Sequence, residues 1–397
     1  MLASQFLDFS LAALAFLGAC VGHTALWMFV INVVFGLPWH RRVLSIARKL
    51  HFLIVLSAPI LFWFGLGFDR GIVLASYPET FCCPAMAAYT WLCWFFAVVL
   101  LPGFTIWKFM RRPPRSLVSN HSELVDVAFR LGYRPVGRGR YRHLARLPWN
   151  QVFQVEFAER TLRLPRLPRA WDGLTLLHLS DLHLCGTPDR GFYQYVLNRC
   201  RDWETDLVAV TGDIVDSDWH HRWIVPLLGR LHWRVAALAI LGNHDFWHDP
   251  TLVRKRLRRI GMRVLSNTWQ TLEVRGETLV VMGHEGPWSR PAPDLSKCPE
   301  GAFRLCLSHT PDNIRWAQRN NVDLMLSGHN HGGQIRLPLF GSVFVPSLYG
   351  RRFDCGVFEE PPTVLYVSRG LGGQHPLRFN CRPEVTRFIL QRMKDEG

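Results

Sequence analysis

"LTLLHLSDLHL", residues 174–184, decides how the rest of the chain is understood. It opens on leucines broken only by Thr175 and His178, then places Asp181 and His183 one residue apart. A short Leu-rich run that ends at a polar turn is the pattern of a strand buried on both faces. The pattern recurs in "DLVAVTG" (206–212), "VAALAILG" (235–242), "TLVVMG" (278–283), "FRLCLS" (303–308), "VDLMLSG" (322–328) and "TVLYVSRG" (363–370). Between the first two runs "RGFYQYVLNRCRDW" (190–203) predicts a helix. Between the next two "DWHHRWIVPLLGRLHW" (218–233) predicts another, interrupted at Pro226. Strands alternating with helices define an α/β domain.

Five of these strands end on unusual residues. The first delivers Asp181 and His183, the second Gly212-Asp213, and the third Gly242-Asn243-His244-Asp245. "LCLSHTPD" delivers His309, and "SGHNHGGQ" (327–334) delivers His329 and His331. Each group alone has a plain structural explanation as a turn or a hydrogen-bonded pair. Ligand sites in open α/β sheets lie outside the carboxyl ends of the strands, so five such groups in succession should converge. Aspartates, imidazoles and an amide without a thiolate suit Mn, Fe, Zn or Mg. The ligands are too many for one ion and enough for two, which in dinuclear sites lie ~3.5–4 Å apart and clamp the oxygens of a phosphoryl displacement.

In this order the motifs form the signature of the calcineurin-like metallophosphoesterases, which residues 171–392 resemble. "SGHNHGGQIRLPLFG" (327–341) and "YVSRGLGG" (366–373) are similar to a membrane-associated branch of that family, related to the UDP-2,3-diacylglucosamine pyrophosphatases of lipid A synthesis. The resemblance implies a four-layer α/β sandwich, two mixed β-sheets flanked by helices. It implies that Asp181, His183 and His331 hold a first metal and Asn243, His309 and His329 a second, with Asp213 bridging both. His244 would be no ligand; it would protonate the departing oxygen, steadied by Asp245. A hydroxide formed from water between the two cations would attack phosphorus. Manganese is the expected cation. Gly332 and Gly333 would let the loop turn without a side chain blocking the phosphate. One turn departs from the family pattern: "GHEGPW" (283–288) puts His284 and Glu285 where a Gly-x-x-Asp turn is common, so His284 is either a substrate contact or a solvent-facing turn residue.

Upstream the composition changes. Phe6–Leu37, Leu50–Phe68 and Ala85–Trp107 are apolar runs of about the length that a bilayer-spanning helix needs, ~20 residues. Arg41, Arg42, Arg48 and Lys49 follow the first run, and Lys108, Arg111, Arg112 and Arg115 follow the third. The positive-inside rule then places residues after 107 in the cytoplasm and the Cys82-Cys83 loop outside, with the spans in the plasma (inner) membrane. The ten cysteines form no CxxC pair, as in a reduced cytosolic domain. Three regions are expected: a membrane domain (1–110) with three transmembrane helices, an Arg-rich juxtamembrane junction (111–170) and the catalytic domain (171–397). The junction has thirteen arginines against four acidic residues, and "SELVDVAFRLGYRPVG" (122–137) within it predicts a short amphipathic helix ending at Gly132.

The net charge of +15 implies an anionic partner. Directly after a membrane span, lipid headgroups suit the arginines better than nucleic acid, which is not expected. "RLPLFGSVFVPSLYGRR" (336–352) is apolar between Arg336 and the pair Arg351-Arg352. It either grips an acyl chain and a phosphate or packs as an ordinary loop. The basic helix "DPTLVRKRLRRIG" (249–261) either rests on the membrane or is solvated. The expected function is a membrane-anchored dinuclear phosphoesterase acting on a lipid-linked phosphate or pyrophosphate, with UDP-2,3-diacylglucosamine foremost. A hydrolase of soluble phosphoesters is the alternative, and a non-catalytic metal-binding membrane scaffold is the alternative from another class.

Overall fold

The computed structural model describes residues 2–66 and 84–393, with side chains from residue 10. The Cys82-Cys83 loop lies outside the described residues. The chain divides into two compact units, Met1–Arg112 and Pro113–Gly397.

The first unit is helical. It comprises α1 (Leu2–Gly36), α2 (Arg41–Gly65), and α3 (Pro84–Phe95), which runs through a π-turn at Phe96–Leu100 into α4 (Leu101–Met110). Pro102 explains the π-turn: its ring clashes with the carbonyl four residues back, and a wider turn relieves the clash. Three segments, Ser10–Gly36, Arg41–Gly65 and Pro84–Met110, are long and apolar enough to cross a membrane. Polar groups inside this bundle find partners across helices. His23 Nε2 lies 2.9 Å from the Ile54 carbonyl, the Tyr89 hydroxyl 2.6 Å from His23 Nδ1, and Trp94 Nε1 donates to the Ala15 carbonyl at 2.8 Å.

The second unit contains two mixed sheets. Its elements in order are β1 (Leu117–Asp126), α5 (Val127–Leu131), β2 (Gln154–Leu164), β3 (Leu174–Leu179), α6 (Arg190–Arg201), β4 (Thr205–Thr211), α7 (Ile224–Leu228), β5 (Trp233–Ile240), α8 (Asn243–Phe246), α9 (Pro250–Arg259), β6 (Arg263–Val264), β7 (Trp269–Val274), β8 (Glu277–His284), β9 (Phe303–Ser308), α10 (Ile314–Arg319), β10 (Leu324–Ser327), β11 (Arg336–Leu337), β12 (Gly341–Ser342), β13 (Gly356–Glu360), β14 (Thr363–Val367) and β15 (Glu384–Arg392). One sheet has the order β1-β2-β15-β3-β4-β5-β6, the other β13-β14-β10-β9-β8-β7, and β11 pairs with β12 in a small hairpin. Strands β3, β4 and β5 are mutually parallel, as are β8, β9, β10 and β14. The parallel strands are buried on both faces, which is why they are continuous apolar runs. One core lies between the sheets (Leu176, Leu238, Leu305, Leu326, Tyr366, Phe388), and outer cores join each sheet to its helices. This is the expected α/β sandwich.

All seven apolar runs form strands. The segment 218–233 differs from the expected Pro226-broken helix: a 3-10 turn spans Asp218–Trp223, and Pro226 lies inside α7. Residues 111–170 differ most. They supply β1 and β2 to the larger sheet, and only Val127–Leu131 of the expected amphipathic helix is helical. Helix α5 does end at Gly132, in the left-handed conformation with φ +72°. Strand β2 is masked in composition by its charges. Arg160 is buried and donates to Glu384 at 3.1 Å and Thr386 at 2.8 Å. Glu384 also accepts from the Arg369 guanidinium at 2.7 Å. Arg160, at least, is spent inside the fold and does not face lipid.

Candidate metal centre

The carboxyl ends of β3, β4, β5, β9 and β10 meet at one edge of the sandwich. Asp181, His183, Asp213 and His331 form one group of candidate ligands there, and Asp213, His309 and His329 another; within each group the ligand atoms lie within 4.8 Å of one another. His183 Nε2 is 3.1 Å from His331 Nε2 and 3.6 Å from Asp213 Oδ2. On the other side His309 Nε2 is 3.3 Å from Asp213 Oδ2 and 3.1 Å from Asn243 Oδ1. Asp213 thus stands between the two groups.

Backbone geometry makes this convergence possible. Asp181, His183, Asp213, His329 and His331 all have φ between +46° and +67°. Non-glycine residues there cost about 1–3 kcal/mol each and persist only where the surroundings hold them, typically at functional sites. Hydrogen bonds do the holding: His329 N–H donates to both oxygens of Asp181 at 3.1 Å, and His244 N–H to Asp213 Oδ1 at 2.9 Å. The glycines of the last loop are required by packing and by their left-handed backbone. A side chain at Gly332 (φ +60°) would meet Cys381 Sγ at 2.7 Å, and one at Gly333 (φ +82°) would meet Ser342 Cβ at 2.6 Å.

The donors suit cations. His329 Nε2 is buried without a hydrogen-bond partner, an unsatisfied acceptor that needs a Lewis acid. Burial first, then His309, holds His329 well below the ordinary imidazole range; burial and His183 do the same for His331, so both present neutral rings. Burial opposes charge on His183, yet Asp216, then Asp213 and Asp181, push its pKa up to about 9. Burial is likewise outweighed at His309, which Asp213 pushes up to about 9. At Asp213 the imidazoles of His309 and His244 outweigh burial and hold the carboxylate ionised. Positive charge is what this pocket is built to receive. Two divalent cations there would polarise phosphoryl oxygens and lower the pKa of a water.

Asp216 carries the main addition to the expected site. Its Oδ2 lies 2.8 Å from His183 Nδ1, and its Oδ1 is hydrogen-bonded to His244 Nδ1. His244, not His183, keeps some exposure, and its Nε2 lies 3.9 Å from Asp213 Oδ2. The partner of His244 is therefore Asp216, and not Asp245 as expected. Asp245 instead accepts backbone N–H groups from Ile214, Val215 and Gly242 at 2.9–3.0 Å, knitting two ligand loops together. Asp216 lies three residues beyond Asp213 in "GDIVD", a spacing that could have drawn attention to it.

The expected substrate contacts are otherwise engaged. His284 is buried, accepts from Gly286 N–H at 3.1 Å and packs edge-on against Trp316 at 4.7 Å, so it is not a solvent-facing turn residue. Arg336 donates to Asp354 at 2.9 Å and to the Gly332 carbonyl at 3.2 Å. Arg351 donates to the Phe340 and Ser342 carbonyls, and Arg352 to Glu360 at 2.7 Å. The arginines hold the loop in shape. Between them Leu337, Leu339 and Phe340 remain exposed. Two tryptophans flank the site unannounced by any motif: Trp247 lies 4.4 Å from the ring of His244 and Trp288 4.9 Å from that of His329.

A buried imidazole–carboxylate pocket of this kind at strand ends is the ligand set of a hard-metal centre. The calcineurin-like phosphoesterase family profile matches residues 174–333. YkuE of Bacillus subtilis (strain 168), an uncharacterized metallophosphoesterase, is 34% identical over 246 residues, covering 60% of this chain and 86% of its own length. Phosphodiesterase YaeI of Escherichia coli (strain K12) is 29% identical over 220 residues, covering 54% of this chain and 81% of its own. A transmembrane protein with metallophosphoesterase domain from Danio rerio is 28% identical over 248 residues, covering 57% and 55%. The chain belongs to the calcineurin-like metallophosphoesterase family and is a metal-dependent phosphoester hydrolase.

Proposed function

We propose that this chain is a membrane-anchored dinuclear-metal phosphoesterase that hydrolyses a lipid-linked phosphate or pyrophosphate, with UDP-2,3-diacylglucosamine as the leading substrate. The observation that carries the lipid assignment is the joining, in one chain, of three helices of membrane-crossing length to this hydrolytic pocket. The exposed Leu337, Leu339 and Phe340, in the hairpin that follows the His329–His331 loop, suit an acyl chain. Asp181, His183 and His331 would hold one cation and Asn243, His309 and His329 the other, with Asp213 shared; manganese is the proposed ion. The catalytic unit would face the cytoplasm at the inner membrane.

His244 would serve as the general acid. Its Nδ1–H donates to Asp216, which orients the ring. Its Nε2 is left on the side of Asp213, where a departing oxygen can take its proton. Asp216 is a positioning residue in this scheme.

The test is a substrate panel. Full-length protein in detergent micelles with Mn²⁺ is offered UDP-2,3-diacylglucosamine and a soluble aryl phosphodiester, and products are identified by mass spectrometry. Faster cleavage of the lipid substrate is expected. Equal rates would favour a hydrolase of soluble esters. No turnover with Mn, Fe, Zn or Mg would leave the non-catalytic scaffold.

A further inference from the structure

The arginine-rich stretch between β1 and β2 has no role in the hydrolytic reading. From Val127 to Val155 there is no acidic residue, while Arg130, Arg134, Arg138, Arg140, Arg142 and Arg146 are all exposed. Large aromatic side chains stand among them: Phe129 is 82% exposed, Trp149 65% and Tyr133 48%. Leaving Phe129 in water is unfavourable, and nothing in the packing of α5 requires a phenylalanine at an outward position. Val127, its neighbour in the helix, already supplies the buried contact.

The stretch is not a loose tail. Arg138 N–H and Gly139 N–H donate to the Gly186 carbonyl, and Gly139 N–H also to Thr187 Oγ1 at 3.0 Å, so it is pinned to the loop that follows His183. At its far end Asn150 Nδ2 donates to the Pro376 carbonyl at 2.6 Å, and Gln151 N–H to that of Arg378, whose guanidinium donates to the His331 carbonyl at 3.1 Å. Tyr141 packs on His375 at 4.4 Å. The basic and aromatic face therefore adjoins the edge where the candidate ligands meet.

We propose that this face, Phe129 to Trp149, is a docking surface for an anionic lipid bilayer. Exposed arginines attract acidic headgroups, and phenylalanine, tyrosine and tryptophan among them fit the depth where headgroups give way to acyl chain. Charge supplies the occupant: six exposed arginines with no acidic residue between Val127 and Val155 complement an acidic headgroup layer, in a chain whose apolar helices are long enough to cross a membrane. The surface is independent of which phosphoester is cleaved. Its consequence is that the candidate metal edge is held beside the headgroup layer.

The unit Pro113–Gly397 contains both sheets, and the two sheet-to-helix cores and the core between the sheets include no residue before Leu117, so it serves for the test. Vesicles of phosphatidylcholine with phosphatidylglycerol, and of phosphatidylcholine alone, are sedimented with this unit, and circular dichroism verifies folding of each variant. Binding to the anionic vesicles is expected. R138Q/R140Q/R142Q should weaken it on the order of 100-fold, since each arginine near an anionic surface contributes about fivefold. F129S/W149S should weaken it about tenfold. K255Q/R258Q/R259Q, which removes the same charge from α9, should bind as the parent does. An equal loss from the α9 variant, no binding to anionic vesicles, or displacement from vesicles by a duplex or single-stranded oligonucleotide would each overturn the proposal.

Discussion

Asp216→Asn isolates the residue that the structure adds to the site. The Asp216 side chain is fully buried and accepts from the Nδ1 atoms of both His183 and His244. Asparagine preserves shape and one acceptor but places an NH₂ donor where the second oxygen was. One of the two imidazoles must then face a donor and give up its orientation. Loss of a positioned general acid costs about 10²–10⁴ in rate. A disturbed partner behind a metal-ligating histidine costs about 10–100-fold in metal affinity. Removing a buried charge also relieves desolvation, which offsets part of the roughly 1.5–3 kcal/mol lost with each charge-assisted hydrogen bond. The expected result is therefore a kcat lower by two to four decades at saturating Mn²⁺, a weaker metal affinity, and a melting temperature close to that of the parent. The assay is aryl phosphodiester hydrolysis across pH 5–9, with metal content by mass spectrometry. Asp245→Asn is the contrast, because Asp245 touches only backbone N–H groups and should alter metal retention more than the pH profile. A D216N protein with parental kcat, or a D245N protein that alone loses the alkaline limb of the profile, would refute the assignment.

Four other outcomes follow from particular contacts. His183 and His309, with pKa values pushed up to about 9, carry protons at pH 7 without cations, so metal binding should release about two protons and weaken as pH falls; calorimetry in buffers of different ionisation enthalpy measures the release. Glu384→Ala strands the buried Arg160, while Arg369 keeps Glu156 at 2.9 Å, and should destabilise the 113–397 unit by about 3 kcal/mol in urea titrations. His284 is held by burial at about 4, below its unfolded value, so its stabilising share is complete above ~6.5 and fades as pH drops towards 4; His284→Asn should remove about 1–2 kcal/mol of the stability difference between pH 7 and 5. Arg352→Gln breaks the half-exposed pair with Glu360 and the guanidinium contact with the Phe353 ring, and kcat/KM on the aryl diester should change less than twofold.

Much of the site could be seen in the chain because each candidate ligand follows directly on a buried strand. A fully buried parallel strand is an unbroken apolar run, and its carboxyl end is where a turn must expose polar groups. Asp181, His183, Asp213, Asn243, His309, His329 and His331 all lie at such ends, and local pattern suffices to find them. Strands β1 and β2 escaped because partners far along the chain neutralise their charges. Arg160 counts as a surface residue until Glu384, 224 residues away, is beside it. Asp216 escaped for a similar reason, since nothing in "GDIVD" says that its last carboxylate reaches two histidines on different loops.

The sequence by itself determined the class of fold, the strand ends that carry chemistry and the apolar helices that precede them, because hydrophobic period and turn chemistry are local. Only the tertiary structure decided which carboxylate orients which histidine and that Arg336, Arg351 and Arg352 are spent on their own loop. It also decided that Leu117–Asp126 and Gln154–Leu164 of the arginine-rich junction are strands of the larger sheet. Those are pairings between distant residues, set by how the two sheets pack, and a linear pattern contains no term for them.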